Sequence, residues 1–293
     1  SDILGYIFDP TVRSIYAAGG FISTYAGDAF TALFPACADP NQAALRDLSA
    51  AQEVARFFQT GGVYASALGQ FSFSAKIGLG FGEVEWEILG DEVSRLFYFC
   101  GDAIDACAQA EHYAESGELW AEQTFLAQAA LSSPSRTQGR FAPIATFLEQ
   151  QNVHLEMEPL LFSEQEMRLF GGEDEFQFPE GEFREVVSVF IAWEHLPHLA
   201  DFVYSALQLQ RRYGGSHLQL DFGDKGSKMW LFFGAPVTHE NKEERALQFI
   251  TEFWRQMPTS ARARAGMTRG VVYAGFYGRS EERRVGKECR SRW

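Results

Sequence analysis

The chain has 293 residues, 46% apolar and 15% aromatic, with a formal net charge of -14. This composition can fill a core and excludes global disorder; the length suits about two ordinary domains. The acidity excludes nonspecific binding to nucleic acid, which needs a basic footprint, and no apolar run approaches the ~20 residues of a membrane helix, so no membrane partner is expected.

The chain opens without Met and without a secretory signal, so a further segment is expected upstream of Ser1. A first helix is read over Ile3 to Ala18, interrupted at Pro10. Gly19-Gly20 then precedes the alternating run Phe21 to Tyr25, the turn Gly27-Asp28 and the return run Ala29 to Phe34, closed by Pro35. This is a β-hairpin pattern. A helix over Asn41 to Thr60 carries Leu45, Leu48, Val54, Phe57 and Phe58 on one broad face. Gly78, Gly82 and Gly90 follow, with strand-like runs such as Ala75-Lys76-Ile77 around them, and predict two strands joined through Gly-rich turns. Residues from about 125 to 183 read as a connection, loop-like over Ser132 to Gly139 and Gly171 to Gly181.

The pattern then recurs. A strand over Val186 to Ile191 and a helix over about Leu199 to Tyr213 lead to Gly214-Gly215. The hairpin His217 to Leu220, turn Asp221 to Gly226 and return strand Met229 to Phe233 end at Gly234-Ala235-Pro236. A helix over Asn241 to Met257 carries Ala246, Leu247, Ile250 and Trp254. Gly266, Gly270 and Gly278 repeat the intervals of the first glycine set. The order is βαββαβ, a ferredoxin-like split motif with extra strands. The fold class is therefore α+β, with two such modules in tandem forming a pseudo-heterodimer. The first module takes 1–124, the connection 125–183 and the second module 184–278. The first copy begins within its first helix, so its opening strand is expected before Ser1.

Composition changes abruptly at Arg279. The segment to Trp293, RSEERRVGKECRSRW, lacks periodicity and resembles the translation of a constant sequencing adapter. It is set aside as a scar; the alternative is a genuine basic tail. Cys37, Cys100, Cys107 and Cys289 show no metal spacing, which fits a reducing cytoplasm.

The segments GGFISTYAGDAFTALFP (19–35), LQLDFGDKGSKMWLFFGAP (218–236) and GMTRGVVYAGFYG (266–278) resemble class III nucleotide cyclases of the tandem type. These are the bicarbonate-responsive soluble adenylate cyclases and bacterial relatives with an ATPase and helical repeats downstream. The resemblance implies conversion of ATP (or GTP) to a cyclic nucleotide and pyrophosphate where two modules pair within one chain. Mg²⁺ or Mn²⁺ would be held by two aspartates.

Carried over by position, Asp28 matches the hairpin metal aspartate, although Gly-Asp is also ordinary turn chemistry. Its partner is expected upstream of Ser1. In the second copy the first-strand aspartate position holds Trp193, and alternation puts Glu194 on the other face. The base-selecting Lys falls at Gln219, able to bond a base edge as donor and acceptor, and in the first copy at Thr24. Gln219 could equally be a solvent-facing strand residue. The transition-state Asn and Arg fall at Asp105 and Gln109 in the first copy and beyond Gly278 in the second. A second complete site is thus not expected, and Thr24 and Ala108 speak against a bicarbonate pocket. His195 and His198 read as surface residues rather than a metal pair, Asp221, Asp224 and Lys225 as a solvated turn, and Cys37 and Cys107 as core.

The leading expectation is a fragment of a cytoplasmic adenylate cyclase, itself inactive. The alternatives are a degenerate pseudocyclase regulating a downstream ATPase, and a dimerisation scaffold without ligand.

Overall fold

The computed structural model describes residues 2–26, 29–36, 39–66, 69–132, 136–145, 170, 182–196, 198–223, 226–258 and 261–274. The chain is mixed α+β and divides into two compact units. Unit 1 takes Ser1–Glu85 and Cys100–Glu158; unit 2 takes Trp86–Phe99 and Pro159–Trp293.

Unit 1 begins with helix α1 (Asp2–Ala17), which runs through Pro10 without the interruption the sequence suggests. Around the proline, Thr11 Oγ1 donates to the carbonyls of Ile7 (3.1 Å) and Phe8 (2.8 Å), and Ser14 Oγ donates to Pro10 O. These are side-chain bonds back to carbonyls three and four residues earlier, in the turns on either side of the proline. The hairpin β1 (Phe21–Ala26) and β2 (Ala29–Leu33) follows as expected. Gly20 precedes it because a Cβ there would sit 2.6 Å from the Phe34 ring.

Helix α2 (Pro40–Gly61) starts at a built cap. Asp39 accepts from the N–H groups of Asn41 (3.0 Å) and Gln42 (3.4 Å), and Pro40 opens the first turn. Its buried face is broader and smaller than the Leu/Phe stripe predicts: Ala43, Ala44, Ala50, Ala51 and Ala55 are buried with Leu48 and Val54.

After a short hairpin, β3 (Val63–Ser66) with β4 (Gly69–Ser72), comes β5 (Ile77–Leu79). Helix α3 (Asp102–Tyr113) packs onto β5 at van der Waals distance. A Cβ on Gly78 would lie 2.0 Å from the Cys107 carbonyl oxygen, and one on Gly80 2.5 Å from that of Ala103. Strand β5 pairs parallel with β8 (Leu119–Glu122), which a short helix α4 (Gln123–Gln128) joins to its antiparallel partner β9 (Phe141–Ile144). The core here is Leu119, Trp120, Ala121, Phe125, Leu126 and Ala142.

The hairpin β6 (Glu85–Gly90) with β7 (Arg95–Cys100) precedes α3 in sequence, yet its residues 86–99 belong to unit 2. Leu89 and Leu96 enter the unit 2 core and Tyr98 lies against Phe222, ring centroids 4.7 Å apart. Asp91 and Arg211 form two parallel hydrogen bonds, 2.6 and 3.1 Å.

The rest of unit 2 runs β10 (Glu182–His195), α5 (Leu199–Tyr213), β11 (Gly215–Gly223), β12 (Gly226–Phe233), α6 (Lys242–Gln256) and β13 (Arg262–Ala274). That is βαββαβ, in one antiparallel sheet ordered β11-β12-β10-β13. Helices α5 and α6 supply the apolar residues that cover one face. Val187, Val189, Ile191, Met229, Leu231 and Phe233 are buried there with Phe202, Val203, Phe249 and Phe253. Each fully buried aliphatic or aromatic side chain of this kind is worth about 1.5–3 kcal/mol.

Three expectations are corrected. Asp221 to Gly226 is mostly paired strand rather than turn, because the pairing continues through Asp221↔Lys228 and Phe222↔Ser227 to Gly223↔Gly226. The buried stripe of α6 is Ala246, Phe249 and Phe253, while Leu247 (56%) and Trp254 (38%) are exposed. Phe249 and Phe253 follow Ala246 at helical spacing, three and seven residues on, so they share its inward face. Finally, Gly266 and Gly270 are not turns: β13 passes straight through both as one strand along β10. Neither would have a neighbour within 4 Å of an added Cβ, so there the glycine spacing of the first copy recurs without its packing reason.

Candidate functional site

The two hairpins share a feature that sequence periodicity does not reveal. In β1 the register slips between Ile22 and Thr24, and in β11 between Ser216 and Gln219. A bulge therefore stands immediately before each of the two candidate base-reading positions. Bulges twist a strand and re-aim the side chain that follows. In the first hairpin the displaced Ser23 is buried and donates to Thr31 O at 3.1 Å. In the second, His217 takes a positive φ of 54° and Leu218 turns into the core. Thr24 then pairs with Thr31, and Gln219 with Trp230; both side chains are half-buried.

Asp28, the candidate metal ligand, lies outside the described residues, as do Cys37, Asp224, Lys225 and Gly278. Trp193 can be placed. It is 6% exposed, pairs with Ser227 and Ala263, and packs against the rings of Phe202 (5.1 Å) and Phe222 (6.0 Å) under the helices. A carboxylate there would point into hydrocarbon. Glu194 is exposed on the opposite face, as alternation requires, 4.0 Å from Arg262. Among the described residues no three His, Cys, Asp or Glu side chains cluster to hold an ion. The residues of unit 2 therefore do not fit a divalent metal at this strand.

In α3, Asp105 and Ala108 are half-buried and Gln109 is exposed. His198 is exposed at the start of α5, and the side chain of His195 lies outside the described residues. Asp221 is not a free turn acid: its carboxylate pairs with Lys228 Nζ at 2.6 Å.

Electrostatic outliers lie elsewhere. In unit 1, burial lifts the Asp47 carboxyl to about 7. Burial first, and then the charge of Asp47, push the Cys107 thiol up to about 12, so this cysteine is a thiol rather than a nucleophile. Burial likewise raises Cys100. In unit 2 the Arg211 guanidinium holds Asp91 down at about 2.

The open face of the unit 2 sheet carries a row that the sequence reading missed. Gln219, Trp230, Phe190 and Gly266 are register partners across β11, β12, β10 and β13 and so share one face. Phe190 is 45% exposed and its ring lies within 23° of the plane of Trp230, centroids 6.0 Å apart. Hydrophobicity alone assigns Phe190 and Trp230 to the core; strand parity, Phe190 even against Val189 and Ile191 odd, is the signal that separates them.

The chain is similar to three solved nucleotide cyclase structures. One is the catalytic core of a rhodopsin-guanylyl cyclase with converted specificity, in complex with ATPalphaS: 18% identity, 33% of this chain and 64% of that one, TM-score 0.30. Another is the dimeric guanylyl cyclase domain of the RhoGC fusion protein from the aquatic fungus Blastocladiella emersonii: 19%, 34%, 66% and 0.29. The third is the adenylyl cyclase CyaB from P. aeruginosa: 17%, 35%, 64% and 0.28. The chain spans about two thirds of the length of each of these structures. No protein-family profile and no curated protein matches it. Among the described residues no helix is long and apolar enough to cross a membrane.

Proposed function

We propose that the chain is the paired catalytic region of a class III-type nucleotide cyclase, built from two ferredoxin-like modules of unequal role. The substrate is ATP, with GTP as the close alternative, and the products are cyclic AMP and pyrophosphate. The observation that carries this reading is the shared bulge: both hairpins break register immediately before Thr24 and Gln219, the two positions that the resemblance assigns to the base. The irregularity falls at matched positions in the two hairpins of the one chain.

In this reading the first copy supplies the metal side through Asp28. Mg²⁺ or Mn²⁺ bound there would screen the phosphates and acidify the attacking ribose hydroxyl. The second copy, with Trp193 in its core, supplies no ligand. Gln219 offers the base edge one donor and one acceptor. A second reading keeps the nucleotide but not the turnover, with the region regulating a downstream ATPase. It is favoured by Gln109 and Thr24, which lack the charge that cyclisation and base selection use in the resembled enzymes.

Both readings are tested by incubating the full-length protein, rather than residues 1–293 alone, with radiolabelled ATP and Mn²⁺ while measuring binding in parallel. Cyclic AMP that disappears in Asp28→Asn supports the enzyme. ATP or GTP bound but never converted supports the regulator. No binding of either nucleotide refutes both.

A further inference from the structure

Along β11 the side chains of Leu218 and Leu220 are buried, so Gln219 and Asp221 share the open face of the unit 2 sheet. Their partners on β12 are Trp230 and Lys228. The groups around Gln219 are engaged with one another rather than with it. The Asp221 carboxylate pairs with Lys228 Nζ at 2.6 Å. The Trp230 ring lies against Phe190, and the His217 ring stacks on Phe232, centroids 5.9 Å apart with 28° between the planes. Gln219 itself is half-buried, and its side-chain amide has no hydrogen-bond partner among the described residues. An amide held by a neighbour presents its oxygen and its NH₂ in a fixed order. This one can exchange them by turning about its last torsion, which is broad and roughly two-fold.

We propose that this site does not choose between purines: Gln219 takes adenine and guanine nucleotides with comparable affinity, its amide turning over to suit each. Adenine presents an amino donor beside the N1 acceptor. Guanine presents the O6 acceptor beside the N1–H donor. One order of the amide matches each edge. Sharp discrimination needs buried polar groups that the wrong base leaves unpaired. A half-buried amide abandoned by a base returns to water instead, and the neighbouring Trp230 offers either purine the same apolar ring. The proposal rests on the nucleotide reading above, keeps the base at Gln219, and extends the substrate from ATP to purine triphosphates as a class.

The test is equilibrium binding of ATP, GTP and, as a base-free control, inorganic tripolyphosphate, with Mn²⁺ present, to the full-length protein and two variants whose folding is verified by far-ultraviolet circular dichroism. The parent should bind ATP and GTP within about fivefold of each other. Gln219→Leu keeps most of the side-chain volume and removes both polar atoms. It should weaken ATP and GTP alike by roughly three- to tenfold, the worth of one or two neutral hydrogen bonds, and leave tripolyphosphate unchanged. Gln219→Glu can only accept. Guanine meets it with N1–H and adenine with the N1 lone pair, so the ratio of GTP to ATP affinity should rise roughly tenfold. The ratio is the readout because the added charge weakens every triphosphate. A parent that prefers either purine beyond the fivefold range overturns the proposal while the nucleotide reading stands. So does a Gln219→Leu variant that binds both purines as the parent does, loses only one of them, or loses tripolyphosphate equally, and so does an unchanged ratio in Gln219→Glu. If the parent binds neither purine, the underlying reading fails instead.

Discussion

Gly78 and Gly266 hold matching places in the repeated glycine spacing, and the structure assigns them opposite consequences on replacement by alanine. At Gly78 the new Cβ would meet the Cys107 carbonyl oxygen at 2.0 Å and the Glu111 nitrogen at 2.4 Å. Both are backbone atoms of α3, so no rotamer change relieves the clash; the helix must move off β5. Overpacking costs about 1–3 kcal/mol when side chains can adjust, and a rigid backbone obstacle belongs at the upper end of that range. The stiffer unfolded chain returns about 0.4–1 kcal/mol. The net expectation is a loss of about 2–3 kcal/mol at Gly78. At Gly266 the Cβ meets nothing, so only the favourable part remains and stability should hold or rise by up to about 1 kcal/mol. Urea unfolding followed by tryptophan fluorescence reads both, since Trp120 is buried in unit 1 and Trp193 in unit 2. Gly78→Ala should lower the midpoint of the unit 1 transition and Gly266→Ala should not lower that of unit 2. A Gly78→Ala midpoint equal to that of the parent, or equal losses for both variants, would refute the packing argument.

Two further outcomes are expected. The Asp91 carboxyl is held at about 2, against an ordinary value of 3.8, chiefly by Arg211. A depressed acid stabilises fully above its unfolded value and loses that contribution as pH falls through its folded one. The contribution of the pair should therefore be constant above about pH 5 and fade between about pH 4 and 2. Both side chains are partly exposed, at 34% and 24%, so solvent screening reduces it to about 1 kcal/mol. Asp91→Asn should remove this part of the acid dependence, and parallel acid titrations of variant and parent would expose the error. Trp193→Asp, which installs the carboxylate that the resemblance expects on the strand, should destabilise unit 2 by at least the 3–5 kcal/mol typical of removing a buried Trp, and should create no Mn²⁺ site. A folded variant that binds Mn²⁺ by calorimetry would show that the strand faces a ligand site after all.

Much of this protein was legible in its sequence because the relevant forces are local. Alternation and turn residues placed β1, β2, β11 and β12 within a few residues. The apolar period placed α2, α5 and α6, and the element order read from Val186 onward is the βαββαβ of unit 2. What stayed hidden depended on partners distant in the chain. The residues of β6 and β7 sit within the first copy by sequence, but Leu89, Leu96 and Asp91 find their partners in unit 2, around Phe222 and Arg211. Identical glycine intervals serve close helix packing at Gly78 and open strand at Gly266, because only the neighbouring element distinguishes them. The bulges before Thr24 and Gln219 are properties of strand pairing, so a single strand cannot display them. Local sequence determined which segments become helix and strand. The tertiary structure decided which face of each is covered, and so set Trp193 under the helices and left Phe190 on the open face.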